Sequence, residues 1–257
     1  MIRSVQKAMQ ILTVISDNKG KAVSLAEISA KTQIPKPTCS RLLETLLRDG
    51  YVRKISHFAG YVLGPSTHYL SRYGRYESEM ISLIRPVMRW MEHKTGATVI
   101  LAVIQNNQKY IIESMDNEQN LFEEHPMIRV DDIYRTATGR AILAQMNRDE
   151  VKSIWDSNGP PKKEDWDNIE SYDDLIDALK KIQIQPIVIT EANPNEKQLT
   201  KGYACPIFQK SVCVGAIGIA WIRTNESDVE SQAIEESLCG ILRKGTKEIQ
   251  RRLSYQV

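Results

Sequence analysis

Residues 24–48 read SLAEISAKTQIPKPTCSRLLETLLR, and their spacing decides what the first quarter of the chain builds. Ser24 stands three residues before Glu27, the order in which a hydroxyl and a carboxylate satisfy each other's backbone amides at a helix start. That predicts a short helix with Leu25, Ile28 and Ser29 inward, ending near Thr32. Gln33-Ile34-Pro35 makes a turn, because proline cannot continue the helix before it. A further helix starts near Lys36-Pro37, where proline is tolerated since first-turn amides have no helical partner. Turning 100° per residue puts Cys39, Leu42, Leu43, Leu46 and Leu47 on one face. Ser40, Arg41, Glu44, Thr45 and Arg48 fall on the other. Two short helices joined by a tight turn, the second polar and basic outside, are the pattern of a helix-turn-helix.

The flanks complete a small domain. Upstream, Val5, Ala8, Met9, Leu12 and Ile15 recur at helical spacing until Asn18-Lys19-Gly20 stops the run. Downstream, Asp49-Gly50 ends the rod, and Tyr51–Ile55 with Tyr61–Leu63 reads as a hairpin, the wing of a winged helix. Residues 1–76 hold twelve Lys and Arg against four acids, a net +8; the other 22 bases and 28 acids leave −6 for residues 77–257. A basic head on an acidic body suits a polyanion bound by the head alone.

A helix fits the major groove of DNA, and residues near its N-terminus reach base edges. Arg41 can donate a bidentate pair to guanine, while Ser40 and Thr38 bond bases or phosphates. Lys36 lies at a positive helix end, which favours phosphate. Arg53, Lys54 and His57 on the wing hold backbone or minor groove. The candidate DNA-contacting set is Ser24, Lys36, Pro37, Thr38, Ser40, Arg41, Thr45, Lys54 and His57. The alternative is a solvated basic surface with Glu44 and Arg48 paired along the helix.

Other classes are excluded or disfavoured by composition. Of 257 residues, 42% are hydrophobic and 26% charged, which suits a folded protein of one or two domains. No apolar run reaches the ~18 residues of a membrane span, and the N-terminus lacks a secretory apolar core. Cys39, Cys205, Cys213 and Cys239 form no CxxC pair and read as reduced thiols of a cytoplasmic protein. The four histidines are scattered without metal-ligand spacing, and no nucleophile elbow or phosphate loop is present. Neither metal nor cofactor is expected. Glu123-Glu124 and Asp131-Asp132 are the acid pairs an enzyme reading would use; exposed pairs of this kind are usually solvated.

Past Pro65, helices are predicted over residues 67–74 and 77–94, the second with Met80, Ile81, Ile84, Val87, Met88 and Met91 inward. Strands follow at 99–104 and 109–114 around Asn106-Asn107, then helices at 138–146, 150–155 and 172–182. Further strands lie at 185–190, 203–207 and 212–221, and a closing amphipathic helix at 228–253. Helices flanking a mostly antiparallel sheet make an α+β domain. Gly215 and Gly218, inside a predicted strand, mark close backbone approach or a bulge.

The stretches Ser-Val-Gln-Lys-Ala-Met-Gln-Ile-Leu (4–12), Ile-Pro-Lys-Pro-Thr (34–38), Arg-Leu-Leu-Glu-Thr-Leu (41–46), Gly-Tyr-Val (50–52) and Gly-Tyr-Val-Leu-Gly-Pro (60–65) resemble the IclR family of bacterial transcriptional regulators. The likeness continues through Thr-Gly-Ala-Thr-Val (95–99) and Thr-Ala-Thr-Gly-Arg-Ala-Ile-Leu-Ala (136–144), so it covers nearly the whole chain. It implies a winged helix-turn-helix over residues 1–65, a connecting helix over 66–76 that helps pair the heads, and a GAF-like effector-binding domain over 77–257. It also implies a double-stranded DNA operator, a dimer or tetramer, and a small organic effector, organic and aromatic acids among the candidates. The pocket positions carried over by resemblance are Ala137, Thr138, Gly202, Gly218 and Ala220. Thr138 reads equally as a plain N-cap. Pro37 replaces a serine usual in the family, which bears on one phosphate contact. Gly218 and Ala220 replace two serines of the strand, which implies a different effector, a bulkier one among the options, or none.

Overall fold

The computed structural model describes residues 2–18, 20–56, 60–73, 78–116, 132–192, 199–223 and 228–254. The chain divides into two compact units, residues 1–78 and 79–257.

The first unit carries α1 (Arg3–Ser16), α2 (Leu25–Thr32), α3 (Lys36–Arg48), β1 (Val52–Ser56), β2 (Gly60–Leu63) and α4 (Pro65–Tyr73). The capping box at α2 forms as its sequence requires: the Glu27 amide donates to Ser24 Oγ (3.2 Å) and the Ser24 amide donates to Glu27 Oε2 (2.8 Å). Gln33 closes α2 in the left-handed region at φ 56°. The next turn is tied down by side chains, with Ser29 Oγ donating to the Ile34 carbonyl (2.7 Å) and Thr32 Oγ1 accepting from the Ile34 amide (3.3 Å). Ile11, Ile15, Ile28, Cys39, Leu43 and Leu46 meet in one apolar core, so three helices bury one stripe each. Cys39 is a packing residue there, donating to the Ile34 carbonyl. The strands β1 and β2 pair antiparallel and form the expected wing. Helix α4 starts at Pro65, two residues before the predicted onset, because proline's fixed φ suits the first helical position.

The second unit is a five-stranded antiparallel sheet in the order β4-β3-β7-β6-β5. Its strands are β3 (Thr98–Gln105), β4 (Gln108–Met115), β5 (Val188–Ala192), β6 (Leu199–Gln209) and β7 (Val212–Arg223). One face carries α5 (Ser78–Thr95) and α10 (Asp228–Ser254), which bury Ile84, Met88, Met91, Leu238 and Leu242 against Val99, Leu101, Tyr203, Ile217 and Ile219. The helix α10 lies along β6: Lys201 Nζ meets Glu235, and the Phe208 amide donates to Gln250 Oε1 (3.1 Å). Seven strand steps and fifteen helix steps each advance about 23 Å, so the two elements stay in register.

The opposite face carries α7 (Ala137–Leu143), which packs Ala137, Ala141 and Ile142 on Ile100, Ala102, Ala204 and Ala216. Beyond it α6 (Asp132–Arg135), α8 (Arg148–Asn158) and α9 (Tyr172–Gln183) share a separate core around Leu143, Ile154 and Leu175. Among the described helices none is long and apolar enough to cross a membrane.

Three local expectations need correction. The strand expected from Gln185 begins only at Val188, since Pro186 brings no amide to a ladder. The strand expected from Tyr203 begins at Leu199, because Lys201 is neutralised by Glu191 (2.9 Å) and Glu235 and so sits inside a ladder. The cap of α7 is Thr136, whose Oγ1 accepts from the Gly139 amide (3.2 Å); Thr138 is not the N-cap.

Candidate nucleic-acid interface and effector face

On α3, Cys39, Leu43 and Leu46 are buried, while Lys36, Pro37, Arg41, Glu44, Thr45 and Arg48 are exposed. Thr38 and Ser40 are half-buried at the edge of that face. The first turn is built by Thr38 and Cys39 amides donating to the Pro35 carbonyl (2.9 and 3.0 Å). Pro37 therefore removes an amide that had no helical partner. Thr45 Oγ1 donates to the Arg41 carbonyl (3.4 Å). Arg48 turns to Asp49 (3.3 Å) and not to Glu44, so the helix-surface pair of the alternative reading does not form. The Arg41 guanidinium makes no hydrogen bond or ion pair among the described residues.

Ser24 is half-buried, and its Oγ and amide are both engaged by Glu27. Hydrogen bonds from the Ser24 amide and then from its side chain hold the Glu27 carboxyl below its ordinary range, so a negative charge already occupies the N-terminus of α2. On the wing, Arg53 and Lys54 are exposed, with Lys54 Nζ 5.7 Å from the Tyr61 ring centre. His57 lies outside the described residues, as do Glu123, Glu124 and Asp131.

The five positions expected for the effector come together on the α7 face of the sheet. Gly202 pairs with Ala220, and Ala204 with Gly218, across β6 and β7. A Cβ added to Gly218 would stand 2.7 Å from Thr138 Cγ2; one added to Gly202 would stand 3.4 Å from Ala137 Cβ. The glycines thus let the start of α7 rest directly on the sheet. Thr138 uses its methyl for that contact, while its Oγ1 reaches Thr136 Oγ1 at 3.4 Å.

Sequence spacing alone missed several polar groups beside these positions. Lys109 on β4 is only 3% exposed, and its Nζ donates to Thr136 Oγ1 (2.9 Å). Thr98 Oγ1 donates to Asp116 Oδ1 (2.9 Å). Arg140 clamps the layer: Nε donates to the Tyr134 carbonyl and an Nη to the Asp165 carbonyl, both at 2.6 Å, with Trp166 stacked at 4.0 Å. Burial pushes the Arg140 guanidinium down to about 10, Asp165 opposing, and burial pushes the Tyr134 phenol up to about 12. The Cys205, Cys213 and Cys239 thiols are all pushed up by burial, which leaves them poor nucleophiles. Among the described residues no group of three or more His, Cys, Asp or Glu is placed to hold a metal ion.

A family model described as the IclR helix-turn-helix domain matches residues 4–56, and one described as bacterial transcriptional regulator IclR C-terminal matches residues 76–251. The chain belongs to the IclR family.

Its relatives agree with that placement. The acetate operon repressor of Salmonella typhimurium is 23% identical to this IclR-family chain over 160 residues, 62% of the chain and 58% of the repressor. The match thus spans little more than half of that relative's length. The IclR transcriptional regulator of Alicyclobacillus acidocaldarius is 17% identical, with a TM-score of 0.73 over 99% of this chain and 100% of that one. An IclR homologue from Microbacterium hydrocarbonoxydans, solved with 4-hydroxybenzoate, is 14% identical with a TM-score of 0.71, over 97% of this chain and 98% of that one. At such identities the structural likeness establishes the fold, a helix-turn-helix followed by an antiparallel sheet flanked by helices. The curated relatives are named as transcriptional regulators and repressors, not as enzymes.

Proposed function

We propose that this IclR-family chain is a cytoplasmic transcriptional regulator whose head, residues 1–65, binds an operator in double-stranded DNA. Residues 66–76 connect it to a body, 77–257, that binds a small organic effector. One observation carries the reading: α3 buries its apolar stripe and leaves Lys36, Arg41, Thr45 and Arg48 outward, with the Arg41 guanidinium unengaged among the described residues. A rod with that face lies in the major groove, Arg41 donating to a guanine edge and Lys36, Thr38 and Ser40 holding phosphates. Arg53, Lys54 and His57 on the wing add backbone contacts. Glu27 at the start of α2 weakens any phosphate contact by Ser24.

Self-association to a dimer or tetramer pairs the heads on two half-sites, a helical turn or a multiple apart. The effector acts by linkage: a ligand that prefers one arrangement of the body shifts operator affinity, and the operator shifts ligand affinity by the same factor. The meeting of Ala137, Thr138, Gly202, Gly218 and Ala220 on one face of the sheet supports that face as the effector's place. The 4-hydroxybenzoate held by the Microbacterium homologue supports keeping aromatic acids among the candidates.

Selection of binding duplexes from a random pool tests the reading. The purified chain is expected to enrich a two-fold symmetric site, which small-molecule effectors release or tighten. Failure to enrich any sequence would contradict it.

A further inference from the structure

Within the head, the end of α3 and the start of α4 are joined. The end of α3 first closes on itself: the Tyr51 amide donates to the Leu46 carbonyl (2.8 Å) and the Gly50 amide to the Leu47 carbonyl (3.1 Å), with Gly50 in the left-handed region at φ 76°. The carbonyls of Asp49 and Gly50 then have no acceptor role left inside the helix. One residue of α4 takes both. Ser66 Oγ donates to the Asp49 carbonyl (2.9 Å), and the Ser66 amide donates to the Gly50 carbonyl (3.0 Å). That amide lies in the first turn of α4, where no intrahelical acceptor exists for it, so the positive start of one helix closes the negative end of the other.

Two glycines make this approach possible. A Cβ added to Gly64 would stand 2.2 Å from the Gly50 carbonyl oxygen, and one added to Gly50 would stand 2.7 Å from Ser66 Oγ. The Gly64 amide donates to the Tyr51 carbonyl (2.8 Å) and Thr67 Oγ1 donates to the Gly64 carbonyl (2.6 Å), so the residue before Pro65 is pinned from both sides. Pro65 fixes its own φ and adds no freedom there. Farther along α4, Tyr69 and Leu70 are 63% and 54% exposed, an apolar surface suited to the pairing of heads. Helix α4 has nine residues and is about 13 Å long, so a tilt of ~20° at its base would carry its far end ~5 Å sideways, more than the ~3.4 Å step between base pairs.

We propose that Ser66 is a positioning residue for operator specificity: by joining α4 to the end of α3 it fixes how the two α3 helices of paired heads are set, and so which separation of half-sites the protein accepts. Ser66 acts through α4 and needs no contact with DNA. The proposal rests on the reading of the chain as a regulator with paired heads, while the joint itself is a property of the head alone.

The test uses the full chain as wild type, Ser66→Ala, Ser66→Thr and Gly64→Ala. Each is titrated with the duplex selected for the wild type, and with versions whose half-sites stand one or two base pairs closer together or farther apart. The wild type is expected to prefer the selected spacing by ~10-fold or more, the order of a modest duplex deformation. Ser66→Ala loses the bond to Asp49 and Gly64→Ala wedges α4 away from Gly50, and each is expected to reduce the preference to ~3-fold or less. Ser66→Thr keeps the hydroxyl and is expected to keep the preference. Arg41→Ala gives the contrast, since losing a base contact weakens every spacing alike. A wild type indifferent to spacing would overturn the proposal. So would a Ser66→Ala variant that keeps the wild-type preference or loses affinity by one factor at every spacing, whether or not Gly64→Ala folds. Amide exchange of the DNA-free proteins needs no operator: protection at positions 66 and 67 is expected to fall in Ser66→Ala, and unchanged protection would overturn the joint. A wild type that binds no duplex would count against the regulator reading, and the exchange result would still decide the joint.

Discussion

Arg41 stands on the outer face of α3, one turn from Thr45 and unengaged among the described residues, so its guanidinium is ready to meet a base edge without first breaking a bond. Arg41→Ala is expected to cost ~1–3 kcal/mol of operator binding and to relax preference at one base pair. Binding to every single-base variant of the selected site reads this out. A uniform loss at all positions would instead make Arg41 a phosphate anchor. Glu248 gives a residue-scale prediction in pH. Hydrogen bonds from Arg251 and Arg252 pull its carboxyl from 4.5 to about 2. The folded chain then binds fewer protons than the unfolded one, so the contribution to stability is complete above 4.5 and is lost as pH falls toward about 2. Glu248→Gln is expected to flatten the stability curve across that window, and an unchanged acid limb in an unfolding titration would refute the pairing.

At the scale of elements, one helix start and one helix seat can be probed separately. Ser24→Ala removes half of the α2 capping box and is expected to cost about 1 kcal/mol of stability, measured by denaturant midpoint, while DNA contacts on α3 persist. Gly218→Val drives a side chain into Thr138 and is expected to cost ~1–3 kcal/mol by overpacking; a neutral result would show that α7 can lift off the sheet freely. The same elements show what the amino-acid order reveals. Helices α2 and α3 were legible because capping chemistry, a turn proline and a 3.6-residue stripe agree over 24–48. The wing and the sheet were legible from alternation and Asn106-Asn107. The single turn of α6 was not, since four residues are too few for any period. The early start of β6 was hidden because Lys201 looks like loop until Glu191 and Glu235 neutralise it across the fold.

For the whole molecule, the charges divide: +8 on residues 1–76 and −6 on the remainder. That asymmetry draws the head, and not the body, to a polyanion, and it makes affinity depend on salt through counterion release. Linkage adds a reciprocal constraint. An effector that weakens operator binding by some factor must itself bind more weakly, by that factor, when operator is present; an effector that binds with the same affinity with and without operator would exclude coupling of body and head. The most direct test of the central claim, that the outer face of α3 lies on duplex DNA, is affinity for the selected site measured against salt concentration. The comparison is between the wild type and the double variant Lys36→Ala/Arg41→Ala. The account predicts a linear fall of log affinity with log salt, slope ~0.9 per phosphate neutralised, and a shallower slope with weaker binding in the variant. Binding that ignores salt, or a variant with the same affinity and slope as the wild type, would contradict it.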